Sequence, residues 1–376
     1  MKALVALAVG LALVSPAMAQ DRVQDVLEAL RAEHGFPGAT VAWVAEKGEV
    51  QTRAGGFADP DAGIPMSPES RLLAASIGKS FVAAAALALQ AEGALDLDGP
   101  ASDWLGDRPW FARLPNHDTL TLRHLLTHSA GLPDHVDLPA FQGLFMSIGP
   151  EDPAPAPEDL IALILDAAPL FSAGEGWAYS DTGYLLAGLV IEAAADRPWT
   201  EEVQDRFLLP LGLDDTEPSD RRDLDHLVVG FTAMGGPSAP LMRTLDADAR
   251  MVWHPGIEGA GGGFVTTAAD LARWGQILWS GRALEAPYLD EMLDGVEMGS
   301  PGRSYGLGVG IDRSGELGEV RGHGGWIPGY VSSLRYYSAR DVAIAIQINT
   351  DAGMLGPQGA FDGIEEAVTA AILQDP

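Results

Sequence analysis

Strand patterns stand at both ends of this chain and helical patterns fill the space between, and no other feature constrains the fold so strongly. Ala39 to Ala45 and Val50 to Phe57 read as two strands around a tight turn at Lys47-Gly48. Val331 to Tyr337 and Val342 to Ile348 read as a second hairpin, turned at Ser338-Ala339-Arg340-Asp341. Val23, Val26, Leu27 and Leu30 line one face of a helix that the Gly35-Phe36-Pro37-Gly38 cluster ends, and Ile364 to Leu373 has a helical pattern after the last strand. The middle is helical in Phe81 to Gln90, Leu122 to Leu126, Leu160 to Ala167, Tyr184 to Ala195 and Leu271 to Leu278, with long Pro/Gly-rich connections. The simplest packing joins the distant hairpins into one sheet, which makes the middle an insertion. The expected fold class is α+β: an antiparallel β-sheet flanked by N- and C-terminal helices with an inserted, mostly helical lobe. The sheet lobe is placed at about 20–75 and 300–376, the helical lobe at about 76–299, and an active cleft between them.

Charge and cysteine content narrow the chemistry. Lys plus Arg number 23 against 53 Asp plus Glu, a formal charge of -30, which repels phosphate backbones and anionic membranes. Nucleic acid is therefore not an expected partner. The absence of cysteine removes disulfides, thiolate metal sites and a cysteine nucleophile. Residues 1–19 have an export pattern: Lys2, an apolar run from Ala3 to Val14, and Ala17-Met18-Ala19 as a cleavage site. The mature catalytic unit is expected at 20–376, periplasmic or secreted, with no stable membrane anchor because the apolar run is too short to span a bilayer. Beyond Lys2 the chain has only two lysines, Lys47 and Lys79.

Ser76-Ile77-Gly78-Lys79 precedes an alanine-rich helix, which puts Ser76 at the helix start with Lys79 one turn on, facing the same side. A nucleophile needs that arrangement, because the amine can take the serine proton and the helix terminus favours the developing anion. One S-x-x-K arises by chance in roughly one such chain in seven, so its placement carries the argument. Gly78-Lys79-Ser80 is not a phosphate loop, since Leu73 stands where its first glycine belongs. Tyr179-Ser180-Asp181 precedes another helix. Asp181 is an N-cap candidate there, and Tyr179 can point into a cleft as a proton relay. Gly322-His323-Gly324-Gly325-Trp326, just before a strand, suits close backbone approach to a ligand or an ordinary loop with a surface histidine. Gly302-Arg303-Ser304-Tyr305-Gly306 fits G-x-S-x-G, but a glycine-rich, strand-like stretch follows where that elbow needs a helix. His124 and His128 lie four apart with no adjacent glutamate, and Gly131 offers a helix C-cap, so a structural role outweighs a metal. The Gly259-to-Gly263 run lacks dinucleotide spacing, and no cofactor is expected. Trp253, Trp326 and Tyr330 are candidates either for the cleft wall or for the core.

In order, Ser76-x-x-Lys79, Tyr179-Ser-Asp181 and His323-Gly-Gly325 resemble the three active-site motifs of the serine β-lactamase and penicillin-binding protein superfamily. The nearest branch is that of class C β-lactamases, D-alanyl-D-alanine carboxypeptidases and family VIII carboxylesterases. His124-Leu-Leu-Thr-His-Ser-Ala-Gly-Leu132, Tyr184-Leu-Leu-Ala-Gly188, Gly261-Gly-Gly-Phe-Val-Thr-Thr267 and Tyr305-Gly-Leu-Gly308 extend the resemblance from about Phe36 to Asn349. It implies Ser76 as the acylated nucleophile, Lys79 as its proton acceptor and Tyr179 as the relay to the leaving group. It also implies an oxyanion hole from the N–H groups of Ser76 and Trp326, with His323 where relatives have lysine or histidine and no cofactor. Two positions depart from the pattern. Asp181 replaces the usual asparagine and cannot donate to a substrate carbonyl; it is expected to shift base duty toward Tyr179 or to lie outside reach of Lys79. Gly324 replaces a hydroxyl residue that helps bind a substrate carboxylate, leaving Arg321 or His323 to supply positive charge. The expectation is an exported serine hydrolase of esters or small amides and peptides. β-Lactamase or D-alanyl-D-alanine carboxypeptidase activity is the alternative, and a catalytically weak cell-wall-peptide binder or scaffold a more remote one.

Overall fold

Val342–Ile348 is buried at every position, and Gly38–Val44 at all but one. Such unbroken burial requires a sheet covered on both faces. The computed structural model, which describes residues 16–45, 48–234 and 240–374 without the side chains of 16–21, has that architecture. The apolar run of the expected leader lies outside the described residues, as does Lys47 of the first hairpin turn. Among the described residues, nine antiparallel strands run in the order Ile64–Pro65, Val50–Asp59, Gly38–Val44, Val342–Ile348, Tyr330–Tyr337, Val320–Ile327, Gly310–Asp312, Arg303–Tyr305 and Val296–Glu297. The two terminal hairpins are joined by Gly38–Val44 against Val342–Ile348, with Val41 opposite Ile346.

Side-chain alternation explains the two coverings. Val41, Ile344, Ile346 and Ile348 point to one face, where they pack with Val23 and Leu27 of the helix Pro16–His34 and with Ile364 and Val368 of the helix Phe361–Leu373. Ala42, Ala343 and Ala345 point to the other face, and these small side chains let the helix Ala268–Trp279 lie close. A Cβ on Gly275 of that helix would stand 2.8 Å from a Leu334 methyl. This helix falls within the 76–299 span expected to form the helical lobe, yet it packs on the sheet. Its apolar stripe has the same period wherever it docks, so sequence pattern alone does not assign it to a layer.

The helix Lys79–Ala91 forms the central buried element of the helical part, with Lys79 to Leu87 all buried. The helix Asp181–Ala195 packs beside it through Tyr184 to Ile191. Trp274 ties the sheet-covering helix to this centre, stacking on Phe81 at 4.3 Å and donating its indole N–H to Ser80 Oγ at 2.8 Å. Two expected caps fall elsewhere. Ser180, not Asp181, is the N-cap residue, and its side chain makes no cap bond. Leu122–Leu126 ends at Thr127 with left-handed His128 next, while Gly131 turns the following loop, where a Cβ would strike Phe171 O. No helix among the described residues is long and apolar enough to cross a membrane.

Candidate active site

Ser76 sits in a single 3₁₀ turn, Ala75–Gly78, whose last residue leads into Lys79–Ala91. A short sheet fixes this turn: Leu72–Leu73 pairs with Phe264–Thr266, and Ala74 N–H donates to Phe264 O at 2.9 Å. Ala75 has φ 50, a left-handed conformation that costs a non-glycine residue energy and persists where its surroundings enforce it. Gly262 provides one such constraint, since its Cβ would stand 2.5 Å from Ala75 O and 2.9 Å from Ser76 N. Ser76 is left partly exposed between buried neighbours.

Three side chains converge here. Lys79 Nζ lies 3.1 Å from Ser76 Oγ, and the Tyr179 hydroxyl donates to the same oxygen at 2.8 Å. Lys79 Nζ also donates to Asp181 Oδ1 and Gly261 O, both at 2.5 Å. Three acceptors at tetrahedral nitrogen match the three N–H groups of an ammonium, and the side chain is 0% exposed. Of the two outcomes expected for Asp181, separation from Lys79 is therefore not what occurs. Burial, and then the Asp181 carboxylate, push the Tyr179 phenol well above its ordinary range, so it remains a proton donor.

The third motif is itself a strand, Val320–Ile327, and not a loop before one. Its glycines have poor strand propensity; tertiary pairing with Tyr330–Tyr337 overrides it. Gly310–Asp312 pairs only as far as Gly322, so among the described residues His323 to Ile327 has no strand neighbour on that side. Gly325 is required there because a Cβ would stand 2.2 Å from Ala74 O. Gly324 is not crowded, the nearest atom to its Cβ position being Ser332 O at 3.9 Å. Trp326, next along, is 49% exposed and its indole N–H reaches Asp351 Oδ2 at 3.4 Å.

His323 carries no charge to the cleft. Its Nδ1 bonds to Gly324 O at 2.5 Å and its Nε2 to the Tyr305 hydroxyl at 2.7 Å, an arrangement that a neutral ring satisfies with Nδ1 protonated. Burial, with Lys79 adding repulsion, lowers its pKa to about 3. Arg321 is committed to Glu319 Oε1 at 2.7 Å and Trp279 O at 2.7 Å. Neither is the free cation anticipated for a substrate carboxylate.

Asp134, Glu258 and Thr182 at the centre were not singled out by sequence reasoning, and His128 was weighed there as structural rather than as a metal ligand. Asp134 Oδ2 accepts the Asp181 N–H at 3.0 Å, and burial with the Asp181 charge raises its carboxyl to about 7. Glu258 lies in the same 3₁₀ segment as Gly261; burial, opposed by Lys79, raises it to about 8, and its Oε2 meets no donor among the described residues. His128 Nδ1 accepts the Ser180 N–H at 3.1 Å while its ring packs against Tyr179 at 4.1 Å. Thr182 accepts the His135 N–H at 3.0 Å, which fixes the Asp134 loop to the motif helix. The familial segments around His128, Tyr184, Gly261 and Tyr305 pointed to this neighbourhood. Nothing local marked Asp134 or Glu258.

The remaining candidates lie apart. Ser304 Oγ accepts from Arg313 Nη1 at 3.2 Å in the strand Arg303–Tyr305, without the turn into a helix that an elbow serine needs. His124 Nδ1 accepts the Thr121 N–H at 3.3 Å, closing a helix N-terminus. Trp253 and Tyr330 are core, 6% and 1% exposed. Among the described residues no group of three or more His, Asp or Glu is placed to hold a metal.

The match to the β-lactamase family runs over residues 23–369. The chain belongs to that family. It is 26% identical over 332 residues to penicillin-binding protein 4* of Bacillus subtilis, covering 86% of this chain and 70% of that protein. It is 36% identical over 204 residues to esterase EstB of Burkholderia gladioli, spanning only half of that enzyme's length. In three dimensions it matches a D-stereospecific amidohydrolase from Streptomyces sp. with TM-score 0.78 and 30% identity, covering 93% of this chain and 98% of the other. A D-amino acid amidase from Ochrobactrum anthropi SV3, solved with L-phenylalanine amide, matches with TM-score 0.78 and 26% identity over 95% and 99% of the two chains. The protein is thus a β-lactamase-fold serine hydrolase with relatives among esterases, amidases and penicillin-binding proteins.

Proposed function

We propose that the protein hydrolyses small esters or amides through an acyl-enzyme on Ser76, in an exported location. The carrying observation is that Ser76 Oγ meets Lys79 Nζ and the Tyr179 hydroxyl at once, at 3.1 and 2.8 Å. Ser76 Oγ attacks the carbonyl carbon, and its proton passes to Lys79 as Lys79 hands one of its own to Asp181. Tyr179 gives its proton to the departing nitrogen or oxygen as that bond to carbon breaks, and is reprotonated from the Lys79–Asp181 pair. Water then attacks the acyl carbon by the reverse relay and frees Ser76. The N–H groups of Ser76 and Trp326 would hold the oxyanion, in keeping with Gly325 lying against Ala74 O.

Gly324 brings no hydroxyl, His323 is neutral, and Arg321 is paired, so a substrate carboxylate finds no evident partner. This favours esters and amides over penicillins or D-alanyl peptides, in line with the esterase and amidase relatives. The test is the intact mass of the parent and of Ser76→Ala after exposure to a penicillin and, separately, to an activated short-chain ester. Ser76-dependent ester turnover with penicillin ignored is the expected result. A Ser76-dependent penicillin adduct would move the assignment to a penicillin-binding enzyme, and inertness toward both would favour the scaffold. Tyr179→Phe is expected to lose about 10²–10⁴-fold in kcat; a loss of only a few-fold would remove Tyr179 from the relay. Export is tested by N-terminal sequencing of the mature chain, with Gln20 as the expected start.

A further inference from the structure

Asp181 occupies the place where related motifs carry an amide, and that change reverses what the position can offer. An amide has an N–H to give to a substrate carbonyl; a carboxylate has none and only accepts. Asp181 Oδ1 holds Lys79, yet the side chain keeps 26% of its surface exposed, beside a Ser76 that is also partly exposed. The carboxylate is therefore bound to the catalytic lysine and still partly accessible.

The basic groups named beside Ser76 are paired or neutral. Asp134 stands behind Asp181 through the 3.0 Å bond to its backbone N–H. Glu258 lies in the segment that supplies Gly261 O to Lys79, and its Oε2 is closed from solvent with no donor among the described residues. Burial holds the protons of Asp134 and Glu258 to about 7 and about 8, so at about pH 6.5 Asp181 is the carboxylate that carries charge opposite Lys79. His128 and His323 are held neutral by burial and by Lys79, and Arg321 is turned to Glu319 and Trp279. Lys79 is already paired with Asp181, so an anionic group entering beside Asp181 is opposed by that carboxylate, whereas an N–H donor finds an acceptor oxygen there.

We infer that Asp181 is a specificity-determining residue that selects substrates bearing a free ammonium group beside the scissile carbonyl, the chemistry of α-amino-acid amides and esters. The inference rests on the acyl-enzyme reading above and adds to it the class of acyl group. In the bound state an ammonium N–H donates to the Asp181 oxygen not used by Lys79, while the carbonyl carbon faces Ser76 Oγ. Acetylating that nitrogen removes its charge and two of its three donors.

The experiment compares kcat/KM for three matched p-nitrophenyl esters at about pH 6.5, where an α-amine is largely protonated. The three are alanyl with a free amine (each enantiomer), N-acetylalanyl, and propionyl, which lacks the nitrogen. The free-amine ester is expected to lead both others by roughly 10- to 100-fold, the range for a charge-assisted hydrogen bond. Asp181→Asn is expected to bring the ratio to about one, and Asp181→Glu to retain part of the preference. Because the readout is a ratio within one protein, a general loss of rate in a variant does not imitate the effect. A parent ratio near one overturns the inference, and so does a high ratio that Asp181→Asn leaves unchanged. Propionyl turnover that depends on Ser76, without an amine preference, leaves the acyl-enzyme reading standing and the ammonium inference refuted. No Ser76-dependent turnover of any ester refutes both.

Discussion

Lys79 is the residue on which the centre turns, because its one buried ammonium holds together groups that would otherwise repel. Asp181 neutralises it directly, while burial, reinforced by the Asp181 charge, makes Asp134 and Glu258 hold their protons to about 7 and about 8. Unfolded carboxyls lose theirs near pH 4. Between these limits the native state binds more protons than the unfolded one, so stability falls as pH rises. The contribution is complete below about pH 4 and is lost as pH passes through 7 and then 8. His323 acts in the opposite sense below pH 6.5, since its folded pKa of about 3 lies under the unfolded value. Burial lowers His128 and His135 in the same way, and these imidazoles are common to parent and variants, so the difference in slope between them from pH 6.5 to 8.5 reports the carboxyls. Asp134→Asn and Glu258→Gln are expected to flatten the decline of the urea midpoint across that window. An unaltered slope in both variants would mean the two groups are ionised throughout.

At the scale of elements, the catalytic geometry comes from one strand laid against one turn. His323 to Trp326 runs along Ala74–Ser76, and Ser332 Oγ donates to Ala74 O at 2.8 Å to hold the turn from the next strand. Gly325 makes the approach possible, and any side chain there must displace backbone. Gly325→Ala is expected to cost about 1–3 kcal/mol in stability and to lower kcat far more than that loss explains. Gly324→Ala, facing open space, is expected to melt within a degree or two of the parent. Thermal melts with turnover measured well below the transition check both. Equal stability losses in the two variants would show that the strand is not seated as described.

The molecule as a whole carries a formal charge of -30, and its arginines are largely spent on local pairs such as Arg206 with Glu92 and Arg243 with Asp59. Exposed pairs of this kind contribute little each, about 0–1 kcal/mol, so the uncompensated acids dominate the long-range field. Screening that field should relieve self-repulsion more than it weakens the pairs. The melting temperature is expected to rise between low salt and about 1 M NaCl. A flat or falling response would mean the acidic surface imposes no net strain. Within the sheet, Asn349 closes the molecule: its Oδ1 accepts the Gly38 N–H at 2.8 Å and its Nδ2 donates to Val229 O at 2.9 Å. One buried amide thereby ties the first strand, the last and a distant loop.

Much of this was legible before folding. The two hairpins announced a sheet closed by chain ends, because apolar runs of that length between turn residues admit few other states. Ser76 with Lys79, Tyr179 with Asp181, and His323 to Gly325 were recognisable because each is a local spacing, and spacing survives in sequence. What remained hidden is nonlocal. Asp134 and Glu258 are ordinary loop acids until the Thr182–His135 bond and the Gly261 turn bring them to Lys79. The neutrality of His323 follows from burial beside Tyr305, and the strand under the third motif follows from pairing that its glycines oppose. Sequence determined which reactive groups the chain possesses; tertiary structure decided their protonation, because charge state depends on burial and on neighbours that only the fold supplies.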